Sequence, residues 1–130
     1  VILVSQLIGN GAPRERRALV EISGRGEGIT YGELVDGVTN DCLMLKSLID
    51  PRTSRPNPRV VLYFDNEKDL FRLFLACAAI GACAIPVSKR SCEPRLRSIL
   101  DGAKADIAIS NVDFPGQAPS LHWENVSTYL

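Results

Sequence analysis

Four cysteines, Cys42, Cys77, Cys83 and Cys92, and one histidine, His122, are the side chains of this sequence best suited to soft-metal or nucleophilic chemistry. Their spacing argues against both. No two cysteines form a C-x-x-C pair, and His122 lies thirty residues beyond Cys92, whereas a structural zinc site needs four clustered ligands. A disulfide framework belongs to smaller secreted chains with weak cores. Cys42 and Cys77 fall instead on apolar helix faces, where a thiol behaves as a small buried hydrophobe. Reduced thiols imply a cytoplasmic setting. There is no G-x-S-x-G elbow, and His122, beside Trp123 in a loop-like tail, has no evident nucleophile to serve.

Phosphate chemistry fares no better. The glycine-dense stretch Gly24-Arg25-Gly26-Glu27-Gly28 lacks the G-K-[ST] of a P-loop and is too short for a dinucleotide fingerprint. It reads as a tight turn. Lys89, Arg90, Arg95 and Arg97 are the sharpest concentration of charge. They suit a solvated helix start first, and a phosphate or acidic partner second. Asp36, Glu67 and Asp69 sit where caps and solvated helix residues belong. No self-sufficient active site emerges from these residues.

The elements that would position them follow from periodicity. Arg17 to Ile22 is a strand-like run, and Ser23 to Gly28 is a glycine turn. Thr30-Tyr31-Gly32-Glu33 is a capping box, in which the Thr30 hydroxyl bonds the Glu33 amide and the Glu33 carboxylate reaches back. Apolar residues at 31, 34, 35, 38, 42, 45 and 49 then mark a helix with one buried face, stopped by Asp50-Pro51. Residues 51–58 form an exposed proline-rich loop, and Arg59 to Phe64 reads as a strand apolar on both faces.

Asp65-Asn66 caps a helix with Leu70, Phe71, Phe74, Leu75 and Ala78 on one face, ending near Gly81. A strand over 82–87 is terminated, or placed at a sheet margin, by Pro86. A helix over Glu93 to Ala103 has Leu96, Ile99 and Leu100 inward and Gly102 near its end, and Asp106 to Ser110 is a further strand. Residues 111–130 give no signal that assigns an element. Alternating strands and helices predict an α/β fold with a parallel sheet, crossover helices in a three-layer arrangement, and a short β-hairpin or strand-turn ahead of it.

Composition narrows the classes further. At 130 residues the chain is one domain's length, and its 15 basic and 15 acidic residues cancel. No global field attracts nucleic acid or an anionic membrane. No apolar run approaches the roughly 18 residues of a membrane span. The apolar start, Val1 to Ile8, lacks a basic leader and a cleavage site, and a first residue of Val suggests a processed or excised piece.

The assembled motifs resemble the adenylate-forming, or AMP-binding, superfamily, which includes acyl-CoA synthetases, luciferases and the adenylation domains of nonribosomal peptide synthetases. Ile29-Thr30-Tyr31-Gly32-Glu33-Leu34 resembles its first core motif, which opens the first long helix. The segment from Leu75 through Gly81-Ala82 to Pro86-Val87 is similar to the second, and Arg95-Leu96-Arg97-Ser98-Ile99-Leu100 to the R-L-x-x-I-L that follows. Val60 to Asn66 matches the strand and cap between the first two, and the form is similar to fungal synthetase-like adenylation domains. Order and spacing hold from Ala18 to Ser110.

The resemblance implies that residues 1–130 are the N-terminal portion of an adenylation domain, an incomplete subdomain of a larger fold. It assigns structural roles to Thr30, Tyr31, Glu33, Leu34, Gly81, Ala82, Pro86, Arg95, Leu96 and Leu100: Thr30 and Glu33 cap a helix, Gly81 permits close packing, and Pro86 ends a strand. The family's phosphate-binding loop, adenine and ribose contacts and catalytic lysine have no counterpart here; Lys104 stands in the wrong context for either lysine. The expectation is therefore no catalytic, cofactor-binding or metal residue in this chain, with ATP and Mg²⁺ belonging to the complete parent enzyme. Its expected partners are the rest of the adenylation domain, or a carrier or synthetase protein, with self-association through an uncovered apolar surface. A standalone, non-catalytic interaction module is the alternative. A receiver-like or flavodoxin-like domain is a third, but Asp65 alone at a strand end does not make a receiver's acidic cluster.

Overall fold

Thr30 ends one element and starts the next. The computed structural model describes residues 14–20, 28–88, 90, 93–115 and 121–129. In it β1 (Arg17–Val20) pairs antiparallel with β2 (Gly28–Thr30), forming the expected hairpin; the glycine turn between them lies outside the described residues. The backbone of Thr30 is extended, and its hydroxyl accepts the Glu33 amide at 3.2 Å to open α1 (Tyr31–Ile49). One detail differs from the expected capping box: the Glu33 carboxylate takes the Thr30 hydroxyl proton, at 3.4 Å, as its observed partner.

Leu34, Val38, Leu45 and Ile49 form the buried stripe of α1, as the periodicity predicts. Gly32 and the acidic Asp41 are buried as well, with Cys42 only half-buried. After the exposed loop, β3 (Arg59–Tyr63) runs through the centre of the molecule with Val60, Val61 and Leu62 fully enclosed.

α2 (Glu67–Ile80) starts at Asn66, whose side chain accepts the Asp69 amide at 2.8 Å. It stops at Gly81, whose φ of 80° is the left-handed conformation that glycine adopts without a Cβ clash. The expected inward face needs correction. The residues α2 buries are Leu73, Ala76 and Cys77, while Phe71 and Phe74 stay exposed. Both stripes are apolar at helical spacing, so periodicity could not choose between them.

β4 (Cys83–Pro86) is an edge strand, parallel to β3. The amides of Cys83 and Val87 donate to Pro58 and Leu62, so the alternate positions Ala84 and Pro86 direct their backbone outward. Pro86 thus removes a donor from the free edge, a known block to further strand pairing. α3 (Glu93–Ala103) buries Leu96 fully, with Ile99 and Leu100 half-buried. The left-handed residue after it is Lys104, at φ 52°, and the preceding Gly102 is an ordinary helical position.

β5 (Ile107–Ser110) pairs with β3 on the side opposite β4, and β6 (His122–Asn125) pairs parallel with β5. β6 is the element that the sequence of 111–130 did not reveal. It is held by its neighbour: the Trp123 indole N–H donates to the Ser110 hydroxyl at 2.6 Å. The sheet order is β4-β3-β5-β6, all parallel. α1 and α2 cover one face, where Leu34, Leu45, Leu73, Val60, Leu62 and Ile109 meet. α3 and Phe114 cover the other, against Val61, Tyr63 and Ala108. The three layers are those expected.

Candidate functional site

β3 and β5 are neighbours, yet the chain leaves them toward opposite faces, over α2 in one case and through Phe114 in the other. Such a switch point opens a crevice at the carboxyl ends of the strands, where α/β sheets usually hold ligands. Here it opens into a groove of about 630 Å³ whose polar lining includes Glu33 from α1, Asn66, Lys68, Asp69 and Arg72 from the start of α2, and Asn111 beyond β5. Ile29 and Ser127 complete its wall.

Most of these groups are already bonded to other side chains. Asn111 donates to the Asp65 carboxylate at 2.5 Å and accepts the Asp65 amide at 3.1 Å, stapling the loop after β3 to that after β5. The Asn66 amide group donates to Asp69 at 2.8 Å while its oxygen caps α2. Arg72 donates through Nε to Asp41 at 2.5 Å, tying α2 to α1. Burial pushes the Asp41 carboxyl above its ordinary value, and Arg72 pulls the other way without overcoming it. Among the described residues no buried side-chain nitrogen or oxygen lacks a partner.

The chemistry open to this groove is correspondingly limited. Among the described residues it is lined by no cysteine or histidine, and Arg72 is already committed to Asp41. Lys68 shares the groove with the carboxylates of Glu33 and Asp69, which oppose a polyanion. Among the described residues no group of three or more His, Cys, Asp or Glu side chains is placed to hold a metal ion.

Of the ten residues given structural roles by the resemblance, Glu33 alone lines the groove; Asp69, weighed among the carboxylates, the cap residue Asn66, and Ile29 of the first core motif line it as well. Thr30 caps α1 from its N-terminus, Tyr31 is half-buried and bonds the Arg16 carbonyl through its amide, and Leu34 is buried in the core. Gly81 caps α2, the Ala82 amide donates to the Cys77 carbonyl at 2.8 Å, and Pro86 closes β4. Arg95 is exposed on α3, with Leu96 buried and Leu100 half-buried beneath it. Arg90 and Arg97 are exposed, while Lys89 and Cys92 lie outside the described residues. His122 pairs with Glu124 at 2.7 Å on β6 and is not among the residues that line the groove.

Asp41, Arg72 and Asn111 were missed. A signal for the first pair existed: Asp41 interrupts the apolar stripe of α1, and Arg72 is the one charge between Leu70 and Ile80. Two isolated opposite charges on neighbouring apolar helices are candidates for each other. Asn111 gave no signal, because its role depends on which strand lies beside β5.

The architecture is thus that of a doubly wound α/β protein whose crevice is lined by side chains engaged in hydrogen bonds. Residues 9–126 match the family model of the AMP-binding enzymes, and the chain belongs to that family. It is similar to the nonribosomal peptide synthetase agiA of Aspergillus flavus, 28% identical over 94 residues, which are 72% of this chain and 1% of that protein. It is also similar to an anthranilate–CoA ligase of Pseudomonas aeruginosa, 34% identical over 70 residues, or 54% of this chain and 14% of the ligase. The fold superposes on the N-terminal subdomain of NpsA from Klebsiella oxytoca with a TM-score of 0.82 at 23% identity, covering 98% of this chain and 31% of that one. NpsA bound to 3-hydroxyanthranilyl-AMSN gives 0.78 at 24% identity, over 98% of this chain and 24% of NpsA. The chain therefore spans a small part of each relative's length. Among the described residues no helix is long and apolar enough to cross a membrane.

Proposed function

We propose that this chain is the N-terminal structural portion of an ATP-dependent acid–thiol ligase, which adenylates a carboxylic or amino acid and passes the acyl group to a thiol. The observation carrying this reading is the match of residues 9–126 to the AMP-binding family together with a groove whose polar groups are engaged in holding loops. A piece of that kind supplies a sheet layer for the enzyme and is inactive alone. ATP and Mg²⁺ act in the complete ligase through residues this chain does not contribute, and the unpaired thiols of Cys42, Cys77 and Cys83 support a cytoplasmic setting. The similarity to a nonribosomal peptide synthetase and to a CoA ligase supports a carrier-protein thiol or CoA as the acceptor class.

ATP–pyrophosphate exchange with a panel of carboxylic and amino acids tests this. The 130-residue chain is expected to give background exchange, and the product of a reading frame extended past Leu130 to give acid-dependent exchange. Robust exchange by the short chain would sink the structural reading. A second reading, a standalone module that docks on a synthetase or carrier protein, is favoured by the exposed Phe71 and Phe74. A stop codon at Leu130 with retained binding to a carrier protein selects it.

A further inference from the structure

Ser54 is exposed on the loop that joins α1 to β3, two residues after Arg52 and next to Arg55. Both arginines are exposed, and residues 51–58 hold no acidic side chain. The loop is fastened on either side of Ser54. The Arg52 and Thr53 amides donate to the Ile49 carbonyl at 2.8 and 3.2 Å. The Asn57 side chain donates to the Gly81 carbonyl at 2.9 Å, and the Cys83 amide to the Pro58 carbonyl at 2.8 Å. Between those anchors, no hydrogen bond engages Ser54 among the described residues. Thr53 differs: it is half-buried, and its hydroxyl oxygen accepts the Arg55 amide at 3.1 Å. Arg55 reaches Asp106 only at 3.7 Å, from a side chain 45% exposed, a contact worth little in water.

We propose that Ser54 is a phosphorylation site, served by a serine/threonine kinase whose substrate groove is acidic. The Ser54 Oγ bonds the γ-phosphorus of ATP as the bond to the bridging oxygen breaks and ADP leaves; the hydroxyl proton passes to a carboxylate of the kinase. Arg52 and Arg55 supply the charge that such a groove selects. The fold, not the count of arginines, decides the site. Ser98 follows Arg95 and Arg97 and is also exposed, so by sequence it is the better-flanked serine. It lies inside α3, however, and a helix presents the extended segment that a kinase groove takes only after local unfolding. Residues 53–55 belong to no helix or strand and need no such opening. A phosphate on Ser54 carries about −1.5 to −2 charges at neutral pH. It draws Arg55 from Asp106, whose carboxylate keeps the Arg59 amide at 2.8 Å, so no buried contact is lost. The modified surface lies ahead of β3, at the opposite end of the strand from the groove.

Phosphopeptide mapping tests this, after incubation of the 130-residue chain with ATP and the catalytic subunit of cAMP-dependent protein kinase, an arginine-directed enzyme. In the folded chain, phosphate should appear on Ser54 several-fold faster than on Ser98. Synthetic peptides of residues 48–60 and 93–104, free of the fold, should lose or reverse that order. Phosphate on Ser98 or Thr53 ahead of Ser54 overturns the proposal. So does phosphate first on Ser91, which follows Lys89-Arg90 outside the described residues. A preference for Ser54 that persists in the peptides overturns selection by the fold.

Arg52→Ala and Arg55→Ala should each raise the kinase's KM for the chain several-fold and leave the melting temperature unchanged, since both side chains are exposed. An unchanged KM in both variants overturns recognition by charge. Ser54→Ala should abolish phosphate uptake in this loop, with the same melting temperature as the parent. Protein isolated from its own cells should yield a phosphorylated Ser54 peptide. Detection of that peptide in the unmodified form alone overturns use of the site in the cell.

Discussion

Arg72 of α2 reaches across to Asp41 of α1 and donates to its carboxylate at 2.5 Å, with the Asp41 side chain 4% exposed and that of Arg72 19%. The two helices that cover one face of the sheet are thus joined by a charge pair enclosed in an otherwise apolar seam. Removing either partner leaves the other charge without compensation, which typically costs about 3–5 kcal/mol for a buried pair. Arg72→Met should destabilise the fold by about 3 kcal/mol at neutral pH, measured by urea unfolding.

The same pair sets a pH dependence. Burial raises the Asp41 pKa above 3.8, so the folded state holds this proton more tightly than the unfolded chain does. Stability from this group is complete below 3.8 and is lost as pH rises through the raised value. Two outcomes follow. The penalty of Arg72→Met shrinks on acidification, because the abandoned Asp41 takes a proton, and Asp41→Asn loses that part of the pH dependence. Unfolding free energies across the acid range check both.

Gly37 explains how Arg72 fits. A Cβ added at Gly37 would stand 2.6 Å from Arg72 Cδ, and Arg72 cannot swing away without leaving Asp41. Gly37→Ala should therefore destabilise by about 1–2 kcal/mol, overpacking outweighing the gain in helix propensity. In an Arg72→Ala background the same change should turn mildly stabilising. A double-mutant cycle that finds the two changes additive would contradict this contact.

At the other end of α2, Gly81 sits at φ 80°. Gly81→Ala places a Cβ in the left-handed region and should cost about 1–2 kcal/mol. Thr30→Ala, which removes the α1 cap, should cost about 1 kcal/mol. The sites share no partner, so the double variant should lose the sum, and thermal unfolding of the set measures it.

The thiols offer a chemical readout. Burial, aided by the neighbouring Cys42 and Cys83, pushes the Cys77 thiol from 9.0 up to about 12, while Cys83 is exposed. Among the described thiols, an aromatic disulfide reagent followed by peptide mapping should modify Cys83 first, Cys42 slowly, and Cys77 only on unfolding. The folded state keeps the Cys77 proton that the unfolded chain releases, so stability falls as pH rises from 9.0 toward 12. Cys77→Ala should remove that alkaline dependence at a cost of about 1 kcal/mol from the lost sulfur.

Local signals were enough for α1, α2, α3, β3, β4 and β5, because a cap, a period or a stop residue acts within a few residues of where it sits. Thr30 and Asn66 announce helices through their own side-chain geometry, and Asp50-Pro51 ends one. The family motifs are of the same local kind, which is why they were legible at all. Their number also carried the three-layer arrangement, since alternating strands and helices have few ways to bury both faces of a parallel sheet.

Contacts between distant residues decided the rest. β6 is polar enough to pass for loop, and it becomes a strand because Ile107 to Ser110 offers an open edge and Ser110 accepts the Trp123 indole. Asp41 is a tolerable core residue only because Arg72, thirty-one positions away, arrives beside it. Two apolar stripes on α2 were equally readable, and packing against the sheet selected Leu73, Ala76 and Cys77 over Phe71 and Phe74. Periodicity states that a helix has an apolar side; what lies opposite decides which side is covered. The groove between β3 and β5 has the same origin, for it exists only where two strands far apart in the chain become neighbours and part toward opposite faces.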